Sequence, residues 1–363
     1  MLDRFKVPES EQVHVHEAAL RETVTAIFEK VNLTPEDAAI GADVLVTTDL
    51  RGVDTHGVSN MLRSYVQSYQ KGDYNPRPNW RIVREAPGIA NIDGDGGLGI
   101  ILGPKAMRIA IDKAKNVGVG IVTMYNSRHL GAVGHHAMLA AQEGMVGMCM
   151  TATQPGVVPT FGAEARFGTN PVAIAAPANK QPAVLFDAAT CSIANNKVQL
   201  ARRMQSPLLP GWITDPEGNP IMTETPPPDR GEYHLLPLGA TRELGSHKGY
   251  GLGLMVEVLC TMLSGTLPFG LEKESGYKHY FAAYDIAAFT DVDAFKDNMD
   301  QMLGWLLETK PAAGHERVLY PGILEYEEEK ERRAHGIPLH TEVIEWFGKI
   351  THEMGLPGLQ TLA

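Results

Sequence analysis

Two polar loops of the chain each place a histidine beside an arginine and a hydroxyl residue. The first loop carries Arg51, Thr55 and His56, and the second carries Arg128 and His129 after a serine. Histidine has a pKa near working pH and passes protons readily, and arginine binds a carboxylate through paired hydrogen bonds. Oxidation of a secondary alcohol next to a carboxylate needs such a base and such a cation beside a nicotinamide site. The two loops therefore carry residue types that suit such an oxidation.

His129 is predicted to be the direct partner of the substrate oxygen. Its loop follows the short apolar run Val119–Met124, and ligands collect at the carboxyl ends of strands in α/β sheets. His56, beside Thr55 and Asp54, is the alternative acid–base group, and His129 would then polarise the carbonyl. Both histidines are therefore candidate catalytic residues, and the nearby Arg51, Thr55 and Arg128 are candidate substrate ligands.

His135 and His136 follow His129 closely enough to suggest a metal site. Adjacent histidines on a helix point in different directions, and no nearby acid or thiol completes a ligand set. We therefore predict no metal ion and a helix-lining role for both residues.

A glycine-rich turn, residues 245–251, opens an apolar helix that is predicted to reach Leu263. The turn contains His247, Lys248 and Gly249. Free backbone N–H groups at a helix start, together with a lysine, suit a phosphate or ribose of a dinucleotide. A simple N-cap by Ser246 explains part of the same pattern.

The segment Gly94–Gly99 matches the G-x-G-x-x-G fingerprint of Rossmann dinucleotide sites. That fingerprint also requires an acid at the end of the next strand, to bind a ribose hydroxyl. The next strand here ends in Met124–Ser127, without a carboxylate. We therefore reject the fingerprint and predict a flexible turn that leads into a helix.

The elements that position these loops alternate between helices and short strands, which predicts an α/β fold. Helices are expected over Val13–Val31, from Pro35 to Leu50 behind an N-cap at Thr34, and over Met61–Gln70. A long surface loop is expected over residues 205–230, and a solvated helix face over Glu325–Arg333. Three parts follow: a helical part over residues 1–80, a central α/β cofactor-binding region over 81–270, and a part over 271–363 that packs back on the first.

Bulk properties exclude several classes of protein. The chain has 363 residues and a formal net charge of −11, which disfavours nucleic acids and anionic membranes as partners. It has three widely spaced cysteines, so a disulfide framework is not expected. Neither a leader peptide nor a membrane span is predicted, and we place the protein in the cytoplasm.

Seven blocks in order resemble the malate/L-lactate dehydrogenase family of type 2, whose relatives include sulfolactate, ureidoglycolate, diketogulonate and piperideine-carboxylate oxidoreductases. The resemblance covers nearly the whole chain. The blocks are Arg51–Gly57, Ser127–Gly131, Phe167–Pro171, Asp187–Thr190, Gly211–Asp215, His247–Tyr250 and Val318–Gly322.

The resemblance implies a homodimer with a mixed-sheet, non-Rossmann nicotinamide-binding domain and a helical N-terminal part that takes part in dimerisation. Substrate would bind between domains, with NAD or NADP as cofactor and a malate-, lactate- or sulfolactate-like acid as substrate. Asp187 would help orient a catalytic histidine. The residues implied to contact the dinucleotide are Thr153, Asp187, His247, Lys248, Gly249, His315, Glu316 and Arg317.

Departures from the family pattern concern the substrate site. Thr55 replaces a usual serine, and the run after His56 carries Asn60 and one extra residue, so the carboxylate-binding arginine is either Arg63 or absent. Cys191 and Asn196 also differ from the usual residues. A reductase of a cyclic imino acid, or a non-catalytic binding protein on the same fold, is the alternative.

Overall fold

The computed structural model describes residues 6–272 and 276–362. The N-terminal helices are α1 (Glu17–Lys30), α2 (Pro35–Leu50) and α3 (Val58–Lys71). The expected N-cap of α2 is present, because the Asp37 amide donates to Thr34 Oγ1 over 3.0 Å. These helices bury apolar residues such as Phe28 and Leu62 in one core cluster.

Two segments near the ends of the chain pair with each other in this helical part. Residues 12–15 form strand β1 (Gln12–Val15), which pairs antiparallel with β9 (Ile337–His340) near the C-terminus. The expected helix over Val13–Val31 is therefore wrong at its beginning, since Val13–Val15 are extended to pair with β9. Helix α10 (Thr341–Met354) follows β9 and packs into the same core.

A seven-stranded sheet forms the centre of the molecule. Within the described residues, β3 and β4 pair in parallel and every other neighbouring pair is antiparallel. A Rossmann sheet is mostly parallel, so the predicted mixed-sheet, non-Rossmann α/β fold is confirmed. In spatial order the strands are β2 (Arg81–Ala86), β3 (Ile89–Asp93), β4 (Val119–Ser127), β8 (Tyr277–Tyr284), β5 (Val146–Ala152), β6 (Val172–Ala176) and β7 (Val184–Ala188).

Helices cover both faces of this sheet. On one face α4 (Gly99–Val117) and α5 (Val133–Gln142) pack against apolar strand residues such as Phe281. On the other face lies α7 (Ser246–Val256), which continues into a π-helical segment, Glu257–Met262. The remaining helices are α6 (Asn195–Arg203), α8 (Val292–Leu307) and α9 (Ile323–His335).

Two parts of the chain depart from the segmentation that the sequence suggests. Strand β8 lies between β4 and β5, so residues 277–284 belong to the central sheet although they follow residue 270. The stretch 205–230 is irregular, but it is not only surface. Leu208 and Ile213 are buried in a small core cluster, which also includes Leu235 just after the stretch.

Candidate active site

The two histidines of the sequence motifs lie face to face. His56 is in the turn between α2 and α3, and His129 is in the loop between β4 and α5. Their rings are stacked, with centroids 5.8 Å apart and planes 8° apart. The fold therefore brings together two residues that are far apart in sequence, at the carboxyl end of β4 where a ligand was expected.

His129 is enclosed by two tyrosines from other elements. The hydroxyl oxygen of Tyr65, on α3, lies 2.6 Å from Nδ1 of His129. The Gly131 amide donates to the same nitrogen over 3.3 Å. The ring of Tyr277, at the start of β8, makes an edge contact with His129 at 6.1 Å between centroids.

His56 has a more adaptable partner. Its Nδ1 lies 2.9 Å from the hydroxyl of Thr55, which can donate or accept. The backbone oxygen of Thr55 accepts from Nδ2 of Asn196 on α6 over 2.9 Å. Asn196, which departs from the family pattern, thus holds the first histidine loop against α6.

Buried polar side chains of α2 and α9 fix the position of the first histidine loop. Asp49 Oδ2 accepts from the Val58 amide over 2.7 Å and so caps α3. Arg332 of α9 is 7% exposed, donates to Asp54 Oδ1 over 2.6 Å and donates to the Asp49 carbonyl over 2.6 Å. The expectation that Glu325–Arg333 is merely a solvated face is therefore wrong at Arg332, which faces inward to meet these oxygens.

Both histidines are neutral near pH 7. Burial lowers the pKa of His56 from 6.5 to about 4. Burial lowers the pKa of His129 to about 3, and the neighbouring His56 and His279 add to the effect. A charged ring would lack solvent and face a second ring of the same kind. Both rings are therefore uncharged before substrate reacts.

The second histidine loop is held by close backbone packing and by a third histidine. A Cβ at Gly99 would lie 2.5 Å from the Arg128 oxygen and 2.7 Å from the His129 oxygen. Nε2 of His279 donates to the Arg128 oxygen over 3.2 Å. The close approach of α4 to the second histidine loop thus explains this glycine of the rejected fingerprint. The sequence gave no signal for the supporting role of His279.

The candidate substrate arginines are placed differently from one another. Arg51 pairs with Glu329 at 2.9 Å, and Arg128 donates to the Asp73 and Ser127 oxygens. Arg63 is exposed on α3, whereas Tyr65, which contacts His129, is buried. The structure thus brings Arg128 beside the histidine pair and leaves Arg63 on the opposite side of its helix.

One further cation lies near the pair. Burial raises the pKa of Tyr277, and the charges of Arg128 and Arg230 oppose that rise. Arg230 closes the irregular stretch 205–230 and is exposed. Tyr277 makes a ring contact with His129, so the charge of Arg230 acts on a residue next to the histidine pair.

Asn60 takes part in a structural contact rather than standing free. Its Oδ1 accepts from Nη1 of Arg203 over 3.2 Å, and Arg203 also pairs with Glu342 of α10. This altered position of the family pattern therefore links α3, α6 and α10.

Asp187, at the end of β7, accepts from the Gly134 amide over 2.6 Å at the start of α5. Burial raises its pKa from 3.8 to about 6, although water reaches the residue. The carboxyl group has many protein atoms around it and one side open to solvent, so its pKa is raised although the residue is exposed. Asp187 thereby holds the helix that follows the His129 loop.

The predicted dinucleotide contacts gather around the start of α7. Its N-cap is Gly245 and not Ser246, since the Ser246 hydroxyl bonds to Thr160 instead. His247 and Lys248 are exposed, and Arg242 donates to His247 Nδ1 over 3.0 Å. No side chain caps this helix start, although the Ser246 and Lys248 amides donate to the backbone oxygens of Thr241 and Gly245. The positive end of the helix dipole there favours an anion.

Other predicted cofactor residues have mainly structural contacts. Gly249 packs against the Leu238 backbone, where a Cβ would lie 2.4 Å from its nitrogen. Thr153 Oγ1 accepts from the Thr169 amide over 3.2 Å. Arg317 pairs with Glu327 at the surface, beside the exposed His315 and Glu316.

Neither a metal-binding cluster nor a membrane-spanning helix is present in residues 6–272 and 276–362. These residues contain no cluster of three or more histidine, cysteine or acidic side chains that could hold a metal ion. None of their helices is long and apolar enough to cross a membrane.

The chain is similar to known proteins over nearly its whole length. The family model described as malate/L-lactate dehydrogenase matches residues 15–347. Malate dehydrogenase of Pyrococcus horikoshii is 40% identical over 93% of this chain and 94% of its own. L-sulfolactate dehydrogenase of Methanocaldococcus jannaschii is 36% identical over 93% of this chain and 96% of its own. The crystal structure of malate dehydrogenase from Entamoeba histolytica has a TM-score of 0.91 at 32% identity and covers 96% of this chain and 99% of its own.

Fold and site together define a hydroxy-acid oxidoreductase on a mixed-sheet α/β fold, with a nicotinamide cofactor as the family requires. The chain belongs to the malate/L-lactate dehydrogenase family. The resemblance drawn from the seven sequence blocks is thereby confirmed.

Proposed function

We propose that the chain interconverts a small 2-oxo acid and its 2-hydroxy acid at the pair His56 and His129, and that the substrate carries a second acidic group. The single observation that supports the site is the stacking of the two neutral imidazoles. Rings with free Nε2 atoms can contact one substrate oxygen, which gains or loses a proton when hydride is transferred at the neighbouring carbon.

The second acidic group is suggested by the relatives and by Arg230. The relatives are named for malate and sulfolactate, which carry a carboxylate or a sulfonate beyond the hydroxy acid. The charge of Arg230 lowers the pKa of Tyr277, whose ring contacts His129. Arg128 is the other candidate cation, but two of its nitrogens already donate to backbone oxygens.

The donor chemistry around α7 fits a dinucleotide. The helix start, which no side chain caps, and the exposed Lys248, Arg242 and His247 together suit phosphate or ribose oxygens. Asp187 in its cleft would accept from a ribose hydroxyl or from a ring amide. A bound nicotinamide supplies or accepts the hydride at the substrate carbon. We propose NAD or NADP as the cofactor held by these residues.

A substrate panel tests this function. Reduced nicotinamide absorbance would be followed with NAD and NADP on 2-oxo acids, their hydroxy acids and cyclic imines. We expect turnover of two-anion 2-oxo acids, and Arg230→Gln should raise their KM about tenfold while leaving one-anion substrates nearly unchanged. Turnover of cyclic imines alone, or no turnover at all, would contradict the proposal.

We further propose a cytoplasmic homodimer. All three thiols are unpaired and buried, as expected in a reducing compartment. The α7 helix and its π-helical continuation expose a row of large apolar side chains that suits a symmetric contact between two copies.

A further inference from the structure

We propose that Tyr65 is a positioning residue that fixes the tautomer of His129, so that His129 donates a hydrogen bond to the substrate oxygen and His56 exchanges the proton. This inference rests on the proposed function for its chemical consequence, but its structural part concerns the ring of His129 alone.

Two donors converge on one nitrogen of His129. The Gly131 N–H can only donate, and it points at Nδ1 over 3.3 Å. Nδ1 must therefore present a lone pair, and the Tyr65 hydroxyl at 2.6 Å must donate to it as well. In a neutral ring the proton is then on Nε2.

The environment of Tyr65 maintains this arrangement. Its side chain is fully buried in the core of the helical part, and its ring lies 6.3 Å from that of Tyr74. Burial raises the pKa of Tyr65 well above its ordinary value, and the nearby tyrosines Tyr74 and Tyr277 add to the rise. The hydroxyl therefore keeps its proton and remains a donor.

A fixed Nε2–H ring is a poor proton acceptor. Protonation at Nδ1 would place a hydrogen against the Gly131 N–H and the Tyr65 O–H, so His129 is held neutral. Its Nε2–H can instead stabilise negative charge on the substrate oxygen, as a preorganised donor does in carbonyl chemistry. His129 therefore polarises the oxygen without exchanging its own proton.

His56 meets the remaining requirement. Its Nδ1 faces only the Thr55 hydroxyl, which rotates to accept from Nδ1–H or to donate to Nδ1. In the oxidation direction the hydroxyl proton of the substrate passes to Nε2 of His56, and the C–H electron pair leaves as hydride for the cofactor. In reduction the same proton returns to the oxygen. This order reverses the one expected from the strand-end position of His129.

The structural part is tested by histidine-selective ¹⁵N NMR of the full chain at neutral pH, with the His129→Asn spectrum as assignment. We expect the Nε2–H tautomer in the wild type and a measurable Nδ1–H population in Tyr65→Phe. Tyr69→Phe, a buried tyrosine on the same helix, is the matched control and should leave the tautomer unchanged. A charged or Nδ1–H ring in the wild type, or an unchanged ring in Tyr65→Phe, would overturn the proposal.

The catalytic part is tested with glutamine variants, because an amide N–H donates a hydrogen bond but takes up no proton. His129→Gln should keep kcat within about tenfold of the wild type, and kcat should depend on pH as it does in the wild type. In His56→Gln kcat should fall roughly 10²–10⁴-fold, and the pH dependence that the His56 proton causes should disappear. Tyr65→Phe should lower kcat more than it changes KM. The reverse order of the glutamine variants would overturn the assignment of roles. Absence of turnover in the wild type would contradict the proposed function and leave the NMR result standing.

Discussion

At the scale of single residues, the site depends on which proton each polar side chain can hold. Burial lowers the pKa values of His56 and His129 and raises the pKa of Asp187, so the neutral form of each side chain is favoured. A neutral His56 suits the uptake of a hydroxyl proton, because an imidazole that is already charged cannot accept one. The cleft thus favours the resting state that alcohol oxidation requires.

The variant Asp187→Asn separates the effect of the Asp187 charge from the effect of its hydrogen bond to the Gly134 amide. The pKa of Asp187 is raised from 3.8 to about 6, so the native state holds more protons than the unfolded state between these values. Its contribution to stability is therefore present below about pH 4 and is lost as pH rises through about 6. Asparagine keeps an oxygen for the Gly134 amide. Thermal unfolding should show that the stability of the variant rises relative to the wild type as the pH increases over this range. Isothermal titration should show weaker cofactor binding.

Asp300→Asn is the control of opposite sign. Backbone donation from Gln181, Lys180 and Asn179 lowers the pKa of Asp300, so its contribution is present above its ordinary pKa and is lost as pH falls. This variant should lose stability relative to the wild type near neutral pH and keep its cofactor affinity. If the stability of both variants relative to the wild type changed with pH in the same direction, the surroundings of Asp187 would not disfavour its charge.

At the scale of elements, α9 supports the first histidine loop through one buried ion pair. Arg332→Leu would leave Asp54 without its partner and the Asp49 carbonyl without its donor. Breaking a buried pair typically costs about 3–5 kcal/mol of unfolding free energy. We expect a loss of that order in urea unfolding and a lower kcat, because the loop with His56 loses its anchor. Arg333→Leu, beside it but exposed, should cost less than about 1 kcal/mol.

The contact between α4 and the second histidine loop gives another prediction. A Cβ at Gly99 would meet two backbone oxygens, those of Arg128 and His129, and backbone cannot move as a side chain does. Gly99→Ala should therefore lower kcat by about tenfold or more through displacement of His129. Gly304→Ala in α8 has open space around its Cβ and should raise stability by up to about 1 kcal/mol. Equal activity in both variants would refute the role of this contact.

The sequence predicts much of the fold because its signals are local. Thr34 marks the start of α2, and the β-rich run from Val119 predicts β4, since capping and strand patterns depend on near neighbours. The role of Arg332 and the extension of Val13–Val15 could not be predicted, because both depend on partners about 300 residues away. His56 and His129 were found by residue type, whereas Tyr65 looks like any core tyrosine.

At the scale of the whole molecule, the sheet order joins segments that are distant in the chain. β8 comes from the last third of the sequence and lies between β4 and β5. It brings Tyr277 and His279 to the His129 loop, while β9 and α10 close the helical part below His56. The C-terminal third therefore completes both halves of the site, and truncation before β8 would remove supports of both histidines.

The outer surface of α7 and its π-helical continuation differs from the rest of the exterior. Leu254, Met255, Val258 and Met262 are 46%, 39%, 48% and 45% exposed, and they follow one another along one helical face. Monomeric proteins rarely expose apolar patches of this kind without a partner. A self-complementary face on a second copy is the partner we propose, because a two-fold axis brings the same patch together from both sides.

Charge introduced at this face tests the homodimer. Leu254→Glu combined with Val258→Glu places carboxylates opposite their own copies across a two-fold axis, where they would be desolvated and repel one another. Light scattering coupled to size exclusion should give twice the chain's mass for the wild type and the single mass for the variant. Trp305→Gln, which removes an apolar side chain that is 70% exposed on α8, should remain dimeric. A monomeric wild type would refute the homodimer, and a dimer lost only in Trp305→Gln would place the interface on α8 instead.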